Sequence, residues 1–542
     1  MNAHESDSQA SSGNRPAPGD HQGSLRLRKE RRFSPFRPFR GSNRRRGGGR
    51  LVIASNRLPV VLRRDPAGAW QVAPAAGGLV TALDPVMRKR GGRWMGWPGA
   101  SDVGVEELTT ALDRSADRPP YELEAIELSE TDRDLFYRGF SNEVLWPLFH
   151  GFPGRCQPNP RYWQGYRRVN RRFARAIASS SRWDDLVWVQ DYHLLLVAKE
   201  LRSMGVENEL AFFLHTPFPP AHMLRHIPWH EELLKGLLSF DLIGFQTRRD
   251  ETNFLAAVRH YLPDESAAPR GRATRVHDNS SSSTGVFPIS IDFGEFGGAG
   301  ASSEVTAREH RIRNSLGECR LILGVDRLDY SKGLPEKLRA FHEALEDHPP
   351  LRGSVILKQL VIPSRDRIAA YAETKDQIET LVRAINRKWG RSNWQPVHYR
   401  YGSWDRTELL AHYRAADVAL VTPLRDGMNL VAKEYCATNG GTGVLVLSAF
   451  AGAAAELGGG GLLVDPTEPR AVAQAIGTAC ALPVEVRRER MTRCREAVRR
   501  HDVHAWVQAF LTEGLRSTGG RGPTREKSAR SHRSPERPEA FG

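Results

Sequence analysis

The 542-residue sequence predicts an α/β protein of two doubly wound parallel sheets facing each other across a cleft. Three observations predict it. From residue 51 short apolar runs alternate with longer helical stretches, the pattern of a strand followed by a covering helix. Between residues 267 and 303 the alternation gives way to polar and glycine-rich sequence, and then it restarts. The chain is also long enough to bury two or three separate cores.

Taken in order, LVIAS (51–55) reads as a strand followed by a helix near 79–90. DLVWVQDYH (185–193) leads into the helical LLLVAKELRSMG, LAFFLHTP (210–217) follows, and DLIGFQT (241–247) precedes RRDETNFLAAVRHYL. SSSST (280–284) and FGEFGGAGASS (293–303) have loop or linker composition. RLILGVDRLDY (320–330), GSVILKQLVI (353–362), PVHYRYG (396–402), DVALVTPL (417–424) and GVLVLSAF (443–450) then supply a second set of strands. The expected division is a disordered basic tail at 1–50, one domain at 51–290, a second at 291–485, a helical segment at 486–515 packing back across both, and a second disordered tail at 516–542.

The formal charge of +15 suggests a nucleic-acid or membrane partner, but its distribution argues otherwise. Residues 1–50 carry twelve Lys/Arg against four Asp/Glu and residues 516–542 seven against three, so the tails hold +12 and the body only +3. Both tails are rich in Arg, Gly, Ser and Pro and lack apolar periodicity. They read as solubilising extensions in preference to RNA- or membrane-binding arms. Nucleic acid is therefore not an expected partner of the body, and a homo-oligomer stays open. Five cysteines with no CxxC pair point to a reducing, cytoplasmic setting, and no apolar run reaches the length of a membrane span.

Two strings carry the chemistry. VDRLDYSKGLPEK (325–337) places Arg327 and Lys332 at the end of an apolar run, and RDGMNLVAKEY (425–435) places a glycine turn before a helix N-terminus. Fixed cations and free helix N–H groups are what a diphosphate needs. The alternative for Arg327 is a surface ion-pair cluster with Asp326, Asp329 and Glu336. Asp132 and Asp134 spell D-x-D, which reads as a solvated helix start and not as a metal site.

These strings occur with SNRLPV (55–60), AGGLV (76–80), RWMGWPG (93–99), YRGFSNEVLWPLFH (137–150), VWVQDYHLLL (187–196), FFLHTPFP (212–219) and PSR (363–365). As an ordered set of nine they resemble the trehalose-6-phosphate synthases, retaining glycosyltransferases of family 20 with two Rossmann-like domains (the GT-B arrangement). The resemblance covers residues 51 to about 510 and implies the following roles. Arg327, Lys332, Asn429, Leu430, Val431 and Glu434 would bind a nucleotide diphosphate glucose, with Gly77 and Gly78 in a closing loop and Trp404 by the base. Asp426 would hold donor-sugar hydroxyls, and His215 would donate to the 6-hydroxyl with its carbonyl by the anomeric carbon. Arg57, Tyr137, Trp146, Asp191 and Arg365 would bind glucose 6-phosphate. His215, Arg327, Lys332 and Asp426 are thus the expected catalytic residues, and no metal or cofactor is expected. The donor base, UDP, GDP or ADP, stays open. Glucosyltransferases acting on glycerol 3-phosphate or a cyclitol phosphate, and a catalytically silent sugar-phosphate sensor, are the competing readings. Gln190, Thr216 and Ser290 depart from the family pattern without removing a charged ligand.

Overall fold

The structure, a computed structural model, describes residues 49–65, 68–75, 77–100, 105–115, 118–263, 272–274, 281–365 and 368–517. The expected disordered tails, apart from residues 49–50 and 516–517, lie outside the described residues. The strands are β1 (Leu51–Arg57), β2 (Val60–Arg64), β3 (Trp70–Pro74), β4 (Arg93–Trp97), β5 (Glu122–Ala125), β6 (Leu186–Gln190), β7 (Glu209–Phe213), β8 (Leu242–Phe245), β9 (Arg272–Thr274) and β10 (Ser281–Val286). After them come β11 (Arg320–Arg327), β12 (Val355–Ile362), β13 (Val397–Tyr401), β14 (Val418–Val421), β15 (Val444–Ser448) and β16 (Leu462–Val464).

One sheet runs β5-β4-β1-β6-β7-β8-β10-β9 and the other β13-β12-β11-β14-β15-β16, while β2 and β3 form a separate antiparallel hairpin. The pairings within the two sheets are parallel except β9 on β10. Parallel strands covered on both faces read as near-continuous apolar runs, and LVIA in β1, LVWV in β6 and LILGV in β11 do so, with buried polar residues only at their carboxyl ends.

Among the parallel strands of each sheet the order reverses once, between β1 and β6 and between β11 and β14. A crevice opens beyond the carboxyl ends of strands at such a reversal, and ligands bind there. Arg57 ends β1, Asp191 follows β6, Arg327 ends β11, and the Arg425–Asn429 turn follows β14. The motif residues therefore gather at the two switch points by topology alone.

Two local expectations fail. Ser281–Thr284 lie in β10, which pairs with β8, since tertiary pairing in a buried sheet outweighs the poor strand propensity of serine. FGEFGGAG folds as a helix, Phe293–Gly300, whose N-cap Asp292 accepts the Glu295 N–H at 2.9 Å. A Cβ on Gly300 would stand 2.9 Å from Thr438, so glycine there permits close helix packing. The chain ends in helices Val484–Arg500 and Val503–Ser517. The last of them returns to the first sheet, where Phe510 stacks on Trp188 and Trp506 packs against it at a tilt, with ring centroids 4.5 and 5.2 Å away.

Candidate active site

Arg327 leaves the end of β11, and none of the three neighbouring carboxylates takes it. Asp326 is held by Lys337 at 2.5 Å, Asp329 by Arg365 at 3.0 Å, and Glu336 by Arg339 at 3.3 Å. The surface ion-pair alternative is thereby set aside. The Arg327 guanidinium instead stands 5.6 Å from the Trp146 ring. Lys332 is buried and pairs with Asp426 at 2.5 Å. Burial alone would raise the Asp426 carboxyl, but the Lys332 ammonium and the Asn429 amide hold it below the usual range.

Asn429 caps the helix Leu430–Thr438 from the left-handed region, at φ 84°: its Oδ1 accepts the Ala432 N–H at 3.1 Å and its Nδ2 donates to Asp426 at 3.0 Å. The earlier N–H groups of that helix have no intrahelical partner. Gly427 approaches the other sheet so closely that a Cβ would fall 1.9 Å from the His215 carbonyl oxygen. A Cβ on Gly78 would stand 2.9 Å from Leu430, so the loop carrying Gly77 and Gly78 meets the same helix. Glu434 accepts from the Tyr413 hydroxyl at 2.9 Å, and burial raises its carboxyl. Trp404 stacks on His412 at 3.9 Å, one residue from Tyr413 on the helix Arg406–Ala415, with the Lys358 ammonium 5.6 Å from its ring.

On the opposite wall, Arg57 lies 4.8 Å from the Trp97 ring and 5.6 Å from that of Tyr137. Tyr137 sits on a 13-residue π-type helix, Arg133–Leu145, a rare geometry concentrated at functional sites. Burial would raise its phenol, yet Arg365, Arg57 and Arg327 together bring it below the ordinary value. Arg365, at φ 54°, reaches in from the loop after β12. It donates to Asp329 and to the Tyr371 hydroxyl (2.5 Å), and stacks 3.9 Å over Trp146. Its Nε is buried without a partner. Asp191, at φ 72°, accepts the His215 main-chain N–H at 3.2 Å, and burial pushes its carboxyl up to about 6.

The structure thus brings together Arg57, Tyr137, Trp146, Arg327 and Arg365, and beside them Asp191, His215, Lys332, Asp426 and Asn429. Three groups were not anticipated. Asp329 is buried and accepts from Arg365, Trp146 and Ser331, which joins both walls. The His150 ring packs at a tilt on Trp146, centroids 4.0 Å apart, and burial lowers its imidazole to about 4. Gln190 Oε1 lies 2.9 Å from Nε2 of the His215 ring. Asp329 and His150 stand inside the quoted motifs, but residue type alone does not separate a buried hub from a cap.

The D-x-D reading needs correction. Asp132 is buried and held by Arg168 and Arg172 at 2.7 and 2.8 Å, while Asp134 pairs with Arg138. Arginines presented by the long helix Pro160–Ser180 replace solvent as its partner. Among the described residues no group of three or more His, Cys, Asp or Glu side chains could hold a metal ion, and no helix is long and apolar enough to cross a membrane.

Comparison with known proteins gives one answer. The family described as Glycosyltransferase family 20 matches residues 49–515. The trehalose-6-phosphate synthase of Mycobacterium bovis is 42% identical over 474 residues, covering 86% of this chain and 94% of its own. A solved α,α-trehalose-phosphate synthase (UDP-forming) from Burkholderia xenovorans, in complex with glucose-6-phosphate, superposes with a TM-score of 0.77 at 36% identity, covering 86% of this chain and all of the other. A trehalose-6-phosphate synthase studied with bisubstrate glycomimetics for glycosyl transfer with retention gives 0.76 at 34% identity, over 86% and 99% of the two chains.

Proposed function

The chain belongs to glycosyltransferase family 20, and on that premise we propose that it transfers glucose from UDP-glucose to glucose 6-phosphate with retention, forming α,α-trehalose 6-phosphate. One observation carries the reading. The guanidiniums of Arg57, Arg327 and Arg365, drawn from both sheets, gather around the Tyr137 and Trp146 rings. Such a cluster in a protein body of nearly neutral charge suits two phosphorylated substrates that meet there.

In this reading Arg57, Tyr137 and Arg365 bind the acceptor phosphate, Asp191 orients acceptor hydroxyls, and Trp146 limits the sugar's approach. Arg327, Lys332 and the N-terminus of Leu430–Thr438 face the donor diphosphate, Glu434 the ribose, Trp404 the base, Asp426 and the main-chain carbonyl of His215 the donor sugar. The bond from the anomeric carbon to the diphosphate oxygen breaks, that oxygen takes the acceptor hydroxyl's proton, and the new bond forms on the same face. The protein's contribution is to meet the charge growing on the leaving group. We place the acceptor domain at 51–290 and the donor domain at 291–485, with closure excluding water. We also place the reaction in the cytoplasm and without a divalent cation.

The test incubates purified protein with UDP-glucose and either glucose 6-phosphate or glycerol 3-phosphate, with and without EDTA. UDP release only with glucose 6-phosphate, undiminished by EDTA, and an α,α product by NMR are expected. No release with either acceptor overturns the activity, release only with glycerol 3-phosphate overturns the acceptor, and loss in EDTA overturns metal independence. Arg327→Ala should lower kcat by about 10²-fold or more with little change in glucose 6-phosphate binding.

A further inference from the structure

Two buried amides clasp the His215 ring. Gln190, the last residue of β6, and Gln246, just past β8, are 0% and 2% exposed. The Ile289 N–H donates to Gln246 Oε1 at 2.9 Å. A backbone N–H accepts nothing, so this contact settles which end of the Gln246 amide is oxygen and turns its NH2 toward His215 Nδ1, 3.5 Å away. Nδ1 is then the lone-pair nitrogen, the ring proton sits on Nε2, and Nε2–H donates to Gln190 Oε1 at 2.9 Å. The chain also extends the other way. The Ile289 carbonyl accepts from Lys433 Nζ at 2.8 Å, and Lys433 belongs to the helix Leu430–Thr438 that forms the donor wall.

We propose that Gln190 and Gln246 are positioning residues that hold His215 as the neutral Nε2–H tautomer and tie its placement, through Ile289 and Lys433, to the donor helix. The kinetic consequence rests on the glycosyl-transfer reading; the tautomer does not. Protonating Nδ1 would set an N–H against the Gln246 NH2 in a buried site, leaving two donors without an acceptor. Burial already lowers the imidazole to about 3. Of the groups around it, the Asp191 carboxylate accepts the His215 main-chain N–H, not the ring, and His193 is itself pushed well below its ordinary value. Phe213 and Trp506, which pack on the ring at 4.7 and 6.4 Å, carry no charge.

The experiment reads imidazole 15N shifts of the full chain labelled at histidine, with His215 assigned from the spectrum of His215→Asn. A protonated Nε2 and an unprotonated Nδ1, unchanged from pH 8 to pH 5, are expected. In Gln190→Met, similar in volume but without the acceptor, the two tautomers should mix and kcat should fall about tenfold, the worth of one hydrogen bond, with the KM for glucose 6-phosphate nearly unchanged. Gln190→Glu offers the ring a carboxylate and should bring its titration into the range pH 5 to 8, with a matching new acidic limb in kcat. Circular dichroism confirms that each variant is folded, and the unsubstituted spectrum needs no variant beyond the assignment. An Nδ1–H form in the unsubstituted protein, or an unchanged spectrum in Gln190→Met, overturns the clasp. An Nε2–H spectrum in a protein that transfers no glucose leaves the clasp standing and overturns the proposed function.

Discussion

Asp191 occupies a positive-φ position that aspartate and asparagine tolerate better than most side chains. Burial raises its carboxyl from 3.8 to about 6, although the N–H groups of Tyr192, His215 and Thr216 and the Arg365 charge act in the opposite sense. A folded-state value above the unfolded one means that this group's stabilisation is complete below about pH 4 and is lost as pH rises through about 6. Asp191→Asn removes the ionisation and keeps the backbone preference. Its thermal midpoint should therefore gain on the unsubstituted protein between pH 4 and pH 7 and level off above that. A difference that stays flat with pH would show that Asp191 is not buried as a carboxylate. At this scale the sequence was legible where the ordered motifs carry Arg57, Arg327 and Arg365, which the structure gathers around the Tyr137 and Trp146 rings. It was not legible for Asp329 or Gln190, because whether a polar side chain caps a turn, joins two walls or clasps a ring depends on partners tens of residues away.

The helix Leu430–Thr438 shows how an element is held for use. Its N-cap sits at φ 84°, Asn429 supplies both the cap and a bond to Asp426, and Arg495 from the helix Val484–Arg500 donates to the carbonyls of Cys436, Ala437 and Asn439 at its far end. Asn429→Gly keeps the backbone preference and loses the side-chain bonds, whereas Asn429→Ala loses both. Urea unfolding should show a cost of about 1 kcal/mol or less for glycine and about 2 kcal/mol for alanine. Equal costs would remove the left-handed cap from the account. This helix was readable from RDGMN and the apolar positions after it. Phe293–Gly300 was not, because its glycines argue for a loop until Thr438 is known to lie against Gly300. β10 was hidden for a related reason: a serine run becomes a strand only when β8 offers it a pairing edge.

At the scale of the molecule, the two sheets and their common crevice were legible because strand–helix alternation, broken once and restarted, permits few topologies. The closeness of the two walls was not legible, since no periodicity reports which backbones touch. Gly427 marks that contact, with the His215 carbonyl 1.9 Å from where a Cβ would stand. Both partners are main chain, so neither can swing aside as a side-chain tip could, and Gly427→Ala must push the donor turn away from the end of β7. Gly427 and His215 both lie outside the strands, so the variant should fold with a melting temperature within a few degrees of the original. The reacting groups, however, would be displaced by roughly an ångström, and a shift of that size costs about 10²-fold in kcat. Small-angle scattering with UDP and glucose 6-phosphate should show a larger radius of gyration for Gly427→Ala than for the unsubstituted protein under the same conditions. Full activity in the alanine variant would mean that the crevice turns over without this contact, and that the closed approach of the two walls is incidental to the reaction.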